Sequence, residues 1–266
     1  MSEKPPASPR LSRSAAVALG LVGLATVAAL LIAPAGRSAS AAVDQCAVSD
    51  DAPTLDRPMP HVAARIFAGG PLTIVALGSS STSGTGATRT ATNYPSRLAA
   101  VLAARMPGIT VRVLNRGVAG EEAPAMASRI ARDVLAEKPD LVIWQVGTNG
   151  VLRDDDPGAI AEVVHAGIAQ MKAAGIDVMV MNPQYAPAVL QHEHYREMLR
   201  VLDAVSYAED VPMFPRFAMM RHWAEEGRMP LPIMLGRDRL HMTDASYDCL
   251  AHQLAASIDG PGRASF

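Results

Sequence analysis

Aromatic side chains are scarce in this chain, at only 4% of its 266 residues, so alanine and valine must supply much of the apolar volume. Hydrophobic residues still reach 49%, which is enough for a sizeable core in one large domain or two small ones. Excess basic charge is missing too. The formal net charge of −2 leaves no electrostatic footprint for nucleic acid. No repeat with a period of about 20 to 50 residues is present, which excludes a solenoid or propeller. The pattern Gly-x-Ser-x-Gly does not occur either, so any nucleophilic serine does not sit on an α/β-hydrolase elbow. Cysteine is nearly absent, with Cys46 and Cys249 the only two.

What is there begins with a legible N-terminus. Residues 1–13 are polar with a basic bias, Ala15–Ala33 is an uncharged apolar run, and Ala39-Ser40-Ala41 follows as a small-x-small site. That order describes an export signal. An uncleaved anchor is the alternative, because about 19 apolar residues come close to spanning a bilayer. No cysteine directly follows the run and no Arg-Arg pair precedes it, which argues against lipoprotein attachment and a twin-arginine route. Residues 1–41 are therefore expected to be a signal peptide or membrane anchor, 42–70 an N-terminal arm without periodicity, and 71–266 the folded domain. The expected location is periplasmic or secreted, with an inner-membrane tether through residues 15–33 if the segment is retained. Oxidising surroundings make a Cys46–Cys249 disulfide plausible, tying the arm to the last helix; two separate thiols are the alternative.

From Leu72 the chain alternates between short apolar runs and segments of helical spacing. Strands are expected at Leu72–Leu77, Ile109–Leu114, Leu141–Val146, Asp177–Met181 and Val211–Phe214. Helices are expected at Tyr94–Arg105, Ala123–Glu137, Ala159–Ala174, Tyr195–Tyr207 and Thr243–Ile258. Five- or six-residue strands that are nearly continuous in apolar residues, separated by helices, point to a parallel sheet covered on both faces. The reading is one doubly wound α/β domain. Ligands in such sheets bind beyond the carboxyl ends of the strands.

The loops at those ends are informative together. Gly78-Ser79-Ser80-Ser81-Thr82-Ser83-Gly84 follows the first strand, Asn115-Arg116-Gly117-Val118-Ala119-Gly120 belongs to the second, and Gly147-Thr148-Asn149-Gly150 follows the third. Asp238-Arg239-Leu240-His241 comes late in the chain. Each alone is ordinary turn punctuation. In this order they resemble the blocks of the SGNH hydrolases, also called GDSL esterases: Gly-Asp-Ser-x-Thr-x-Gly, Asn-x-Gly-x-x-Gly, Gly-x-Asn-Asp and Asp-x-x-His. The likeness runs from residue 72 to about 245. It departs at Ser79 and Gly150, where the family carries acidic residues.

The resemblance implies a flavodoxin-like three-layer α/β/α sandwich with a five-stranded parallel sheet. It also implies roles: Ser80 as nucleophile, His241 as base and Asp238 as its orienting partner. The N–H groups of Ser80 and Gly120, with the Asn149 amide, would form an oxyanion hole. The chemistry agrees. A serine hydroxyl is a weak nucleophile unless an imidazole removes its proton, and that ring needs its other nitrogen held by an acceptor. A carbonyl under attack becomes an oxyanion that requires fixed donors. No metal or cofactor is needed.

Rivals stand beside each assignment. Ser79 and Ser81 compete with Ser80 in register, and Gly120 and Asn149 also read as turn residues. His192-Glu193-His194 hints at a metal, but two residues apart on a helix do not share a face. Met219, Met220, Met229 and Met234 read as packing. Arg116 and Glu121 flank the expected mouth, with a solvated surface role favoured over substrate contact.

The functional expectation is an exported ester hydrolase working through an acyl-serine, on a small-molecule or polysaccharide ester. Alternatives are a carbohydrate O-acetylesterase or O-acyltransferase of the same fold, or a non-catalytic binding protein. A Rossmann nucleotide binder is a weaker option, since residues 78–84 lack the full Gly-x-Gly-x-x-Gly pattern. Membrane contact is expected only if the N-terminal segment stays attached.

Overall fold

A computed structural model of the chain describes residues 46–47 and 57–260. Five strands form one sheet: β1 (Leu72–Gly78), β2 (Val111–Gly117), β3 (Leu141–Gln145), β4 (Asp177–Met181) and β5 (Met213–Phe214). Their order is β2-β1-β3-β4-β5 and every pairing is parallel. This is the doubly wound order whose switch point lies between β1 and β3. Every residue of β3 and β4 is buried, which is why neither alternates between apolar and polar residues.

Helix α1 (Pro60–Phe67) precedes the sheet, and the single turn α2 (Ser80–Ser83) follows β1. Then come α3 (Tyr94–Arg105), α4 (Ala123–Ser128), α5 (Ile130–Asp133), α6 (Thr148–Leu152) and α7 (Pro157–Ala173). The chain continues through α8 (Pro187–Leu190), α9 (Tyr195–Ala208), α10 (Arg216–Glu225), α11 (Leu231–Met234) and α12 (Asp244–Asp259). α3 packs on α12, while α4 and α9 pack on α7. These two groups cover opposite faces, as right-handed crossovers require. The three-layer sandwich expected from the sequence is the observed fold.

Local chemistry sets the helix starts. The Asn93 side chain accepts a bond from Ser96 N and opens α3, as expected. Asp156 accepts from the N–H groups of Gly158 and Ala159, so α7 starts at Pro157, two residues before the apolar spacing suggested. Elsewhere the structure departs further. β2 runs to Gly117 because it keeps register with β1 through Gly78. The expected helix 123–137 breaks at Arg129, whose φ of −108° and ψ of 6° are not helical. Residues 60–67, expected within an irregular arm, form α1. It docks on the sheet through Asp177, which accepts from Val62 N, and Asp140, which accepts from Arg65 Nε and Thr73 N. α10 and α11 were not anticipated.

The core compensates for few aromatics by placing them well. Trp144 on β3 is fully buried against α7, where a Cβ on Gly167 would lie 2.5 Å from the indole ring. Met219, Met220, Met229 and Met234 all belong to the core. Cys46 and Cys249 form a disulfide with Cα atoms 4.9 Å apart, tying the N-terminal side to α12. Trp223 and Gln253 both donate to the Cys46 carbonyl beside it. Closing so long a loop typically stabilises a fold by about 2–5 kcal/mol. Residues 1–41, with the expected export signal, lie outside the described residues. Among the described residues no helix is long and apolar enough to cross a membrane.

Candidate active site

Strand β1 ends at Gly78 and the chain turns at once into α2, with Ser80 as its first residue and Gly84 closing it at φ 103°. This sharp turn exists because Gly78 lacks a side chain. A Cβ there would lie 2.2 Å from Thr82 Oγ1 and 2.9 Å from Gln145 Oε1. The Gln145 oxygen accepts three bonds, from Ser79 N (3.0 Å), Ser79 Oγ (3.1 Å) and Thr82 Oγ1 (3.1 Å). From β2, Asn115 Nδ2 donates to Thr82 O at 2.7 Å, and the backbone of Gly117 passes against Ser83. A helix's first N–H groups have no partner inside the helix, so the Ser80 N–H remains available at the rim.

The segment 236–243 brings the imidazole to this turn. Gly236 N donates to His241 O, and Leu235 bridges Met242. His241 Nε2 lies 2.8 Å from Ser80 Oγ, and His241 Nδ1 lies 2.6 Å from Asp238 Oδ2. The other Asp238 oxygen accepts from Leu240 N and His241 N, both at 3.0 Å. Partial burial pushes the Asp238 carboxyl upward, but these bonds, the one from His241 first among them, outweigh it and hold the group below the usual carboxylate range. An ionised Asp238 keeps the ring proton on Nδ1. That leaves Nε2 free to accept the Ser80 proton.

Asn149 sits in α6 directly after β3, and its Nδ2 donates to Glu121 O at 2.7 Å. Gly120 has φ 81°, and only Arg153 comes as near as 4.0 Å to where a Cβ would be. Its backbone conformation, rather than crowding, calls for glycine there. The sequence-predicted residues Ser80, His241 and Asp238 thus meet directly, while Gly120 and Asn149 are joined through Glu121.

Two expectations need correction. Glu121 is not a solvated surface group: its carboxylate pairs with the buried guanidinium of Arg129. Arg116, by contrast, does stay at the surface, where it pairs with Glu137. His192, Glu193 and His194 lie in a turn before α9 rather than on a helix, with His192 bound to Asp154 and His194 facing Glu197. Sequence reasoning also passed over Gln145, Arg129 and Arg153, because each acts on a turn from a distant part of the chain.

Comparison with known proteins now has a geometry to meet. The profile of the Non-GDSL lipase-like family matches residues 45–260. The chain belongs to that family. A match to an acetylxylan esterase of Geobacillus stearothermophilus is 35% identical over 65 residues, spanning 24% of this chain and 30% of that relative. Among solved structures, TesA superposes with a TM-score of 0.60 at 24% identity, covering 70% of this chain and 97% of that one. A two-domain esterase active on acetylated mannans gives 0.61 at 20% identity, covering 76% and 52%. Axe2, an acetylxylan esterase from Geobacillus stearothermophilus, gives 0.59 at 21% identity, covering 70% and 94%. These neighbours share the SGNH fold expected from the sequence.

In this member of the Non-GDSL lipase-like family both departures from the acidic pattern have a local reason. Ser79 is buried, and it completes the uncharged cluster around Gln145. At Gly150 a Cβ would lie 3.2 Å from Met198 Cε and 3.4 Å from Asp155 Oδ2, so an acidic side chain there would be crowded and would face a like charge.

Proposed function

We propose that this chain hydrolyses carboxylic esters through an acyl-Ser80 intermediate. The observation that carries the reading is the relay Ser80 Oγ, His241, Asp238, with links of 2.8 and 2.6 Å. As Ser80 Oγ bonds to the ester carbonyl carbon, its proton passes to His241 Nε2. Asp238 stabilises the imidazolium without taking the proton. The carbonyl oxygen, now negative, receives the N–H groups of Ser80 and Gly120 and the second amide hydrogen of Asn149. Collapse breaks the carbon–oxygen bond to the alcohol, which leaves with the proton from His241. Water then attacks the acyl carbon with His241 again as base, releasing the acid and restoring Ser80.

A second, finer reading is favoured by the relatives: the ester is an O-acetyl group on a saccharide. Esterases acting on acetylxylan and on acetylated mannans share the fold, and the acetylxylan esterase also shares sequence over a short stretch. Export fits both readings, supported by the disulfide and by the basic, apolar, small-residue order of the N-terminus.

The test is a series of p-nitrophenyl esters of increasing acyl length, with acetate release from acetylated xylan, run beside fluorophosphonate labelling. Turnover that peaks at acetyl, with labelling abolished in Ser80→Ala, supports both readings. A preference for long chains removes the saccharide reading alone. Labelling that survives Ser80→Ala removes the assigned nucleophile. Absence of turnover and labelling in the wild type would leave a non-catalytic binding protein.

A further inference from the structure

One buried cation at the site has no part in the proton relay. Arg129 is 5% exposed and occupies the break between α4 and α5. Its guanidinium makes three kinds of contact. Nε donates to Glu121 Oε2 at 2.7 Å, Nη1 to Asp133 Oδ2 at 2.8 Å, and Nη2 to the carbonyl of Gly78 at 3.1 Å. A planar fork with donors in fixed directions sets its acceptors relative to one another, which a flexible ammonium does not do.

Two of those acceptors belong to the turns that carry the backbone oxyanion donors. Gly78 stands two residues before Ser80, and Glu121 follows Gly120. The third donor converges on the same residue, because Asn149 Nδ2 binds the Glu121 carbonyl at 2.7 Å. Glu121 is thus gripped at its side chain by Arg129 and at its backbone by Asn149. At Gly120, where φ is 81°, a Cβ would meet nothing nearer than Arg153 at 4.0 Å, and the next N–H, that of Glu121, donates to the Val118 carbonyl at 3.3 Å. Hydrogen bonds hold the neighbouring peptide. Arg153 adds one from outside, donating to the Gly120 carbonyl at 3.0 Å.

We propose that Arg129, acting through Glu121, is a positioning residue that aligns the Ser80, Gly120 and Asn149 donors on one point. This rests on the ester-hydrolase reading above. Oxyanion donors work at about 2.7–3.1 Å from the developing charge, so a shift of a few tenths of an ångström in the Gly120 peptide weakens them. Exposed ion pairs contribute little, but this one is largely shielded from water and charge-assisted.

The experiment compares wild type with Arg129→Gln, Arg129→Lys and Glu121→Gln on p-nitrophenyl acetate. It also measures inhibition by a phenylboronic acid, whose tetrahedral serine adduct mimics the oxyanion, and records melting temperature. Loss of alignment predicts kcat down about 10²-fold in Arg129→Gln, the size of losing one oxyanion donor. KM should stay within about threefold, boronate affinity should fall in step with kcat/KM, and Arg129→Lys should recover part of the rate, as graded loss of a fixed fork requires. The double variant Arg129→Gln/Asn149→Ala should lose much less than the product of the single losses, because neighbours sharing one function are not additive. A folded Arg129→Gln with kcat within about twofold of wild type, or with only KM raised, overturns the proposal, as does a fully additive double variant. If Arg129→Gln does not fold, Glu121→Gln decides by the same readouts. A wild type with neither turnover nor boronate binding sinks the ester-hydrolase reading itself, a different signature from a lost coupling.

Discussion

The two turns that meet at the Ser80–His241 contact are built in opposite ways. The Ser80 turn is buried and uncharged: Ser79, Ser81 and Thr82 are at most 2% exposed, and Gln145 and Asn115 hold it from two different strands. The His241 turn is exposed and charged. Arg237, Asp238 and Arg239 face solvent, and Asp238 is held mainly by its own segment, through Leu240 N, His241 N and the His241 ring. One side of the Ser80–His241 contact is therefore placed by tertiary packing and the other by local hydrogen bonds.

Removing either end of the contact is the largest expected break. Ser80→Ala and His241→Ala should each lower kcat by about 10⁴–10⁶-fold, and the double variant should lose little more, because the two act as a unit. Steady-state kinetics on one ester decides this, with circular dichroism confirming that the fold remains.

A glycine pair sharpens the contrast between packing and local bonding. In Gly117→Ala the new Cβ would lie 2.1 Å from Ser83 N and 2.5 Å from Thr82 C, both backbone atoms. The Ser80 turn must move, and kcat should fall at least about 10²-fold, the scale of a misplacement near 1 Å. In Gly236→Ala, on the His241 turn, the nearest atoms are 3.6 Å away, an ordinary contact. Its kcat should stay within about twofold of wild type, the margin expected of a change that displaces no catalytic group. Equal losses in the two variants would erase the distinction.

Gln145→Leu attacks the packed side by chemistry rather than volume. It strands the Ser79 N–H and hydroxyl in a buried site, at about 1–3 kcal/mol for each group left unsatisfied, while Thr82 keeps the Tyr94 hydroxyl as a partner. The denaturant midpoint should drop accordingly, with a smaller loss of rate than in Gly117→Ala.

The smallest effect belongs to the exposed side. Asp238 is held below its ordinary value of 3.8, so its contribution to stability is complete above that pH and fades as the pH falls through the lower native value. Asp238→Asn should remove that slope from acid unfolding curves, with a small loss of stability at neutral pH that vanishes as the pH falls below the lower native value. An identical acid limb in variant and wild type would show that the pair adds no stability.

This asymmetry also explains what could be read from the sequence. Asp238-x-x-His241 was legible because its partners are three residues apart. The strands were legible because burial on both faces removes polar residues from β3 and β4. Gly117 and Gly78 appeared as motif positions, yet their reason, backbone passing within contact distance of another turn, exists only in three dimensions. Gln145 falls inside the expected strand Leu141–Val146 and Arg129 inside the expected helix 123–137, so neither stands out in the sequence. Helix 123–137 was drawn as continuous because its apolar spacing persists across the break at Arg129. α1 escaped notice because Pro60 opens it inside a Pro- and Asp-rich segment.

The central claim is that a covalent acyl group passes through one particular hydroxyl. Acid quench of wild-type protein during the first turnover of p-nitrophenyl acetate, followed by peptide mass mapping, tests it most directly. The account predicts an acetyl group on Ser80, at a level that follows the p-nitrophenol burst. An acetyl group on Ser79 or Ser81 instead, or a burst with no adduct anywhere in residues 78–84, would contradict it.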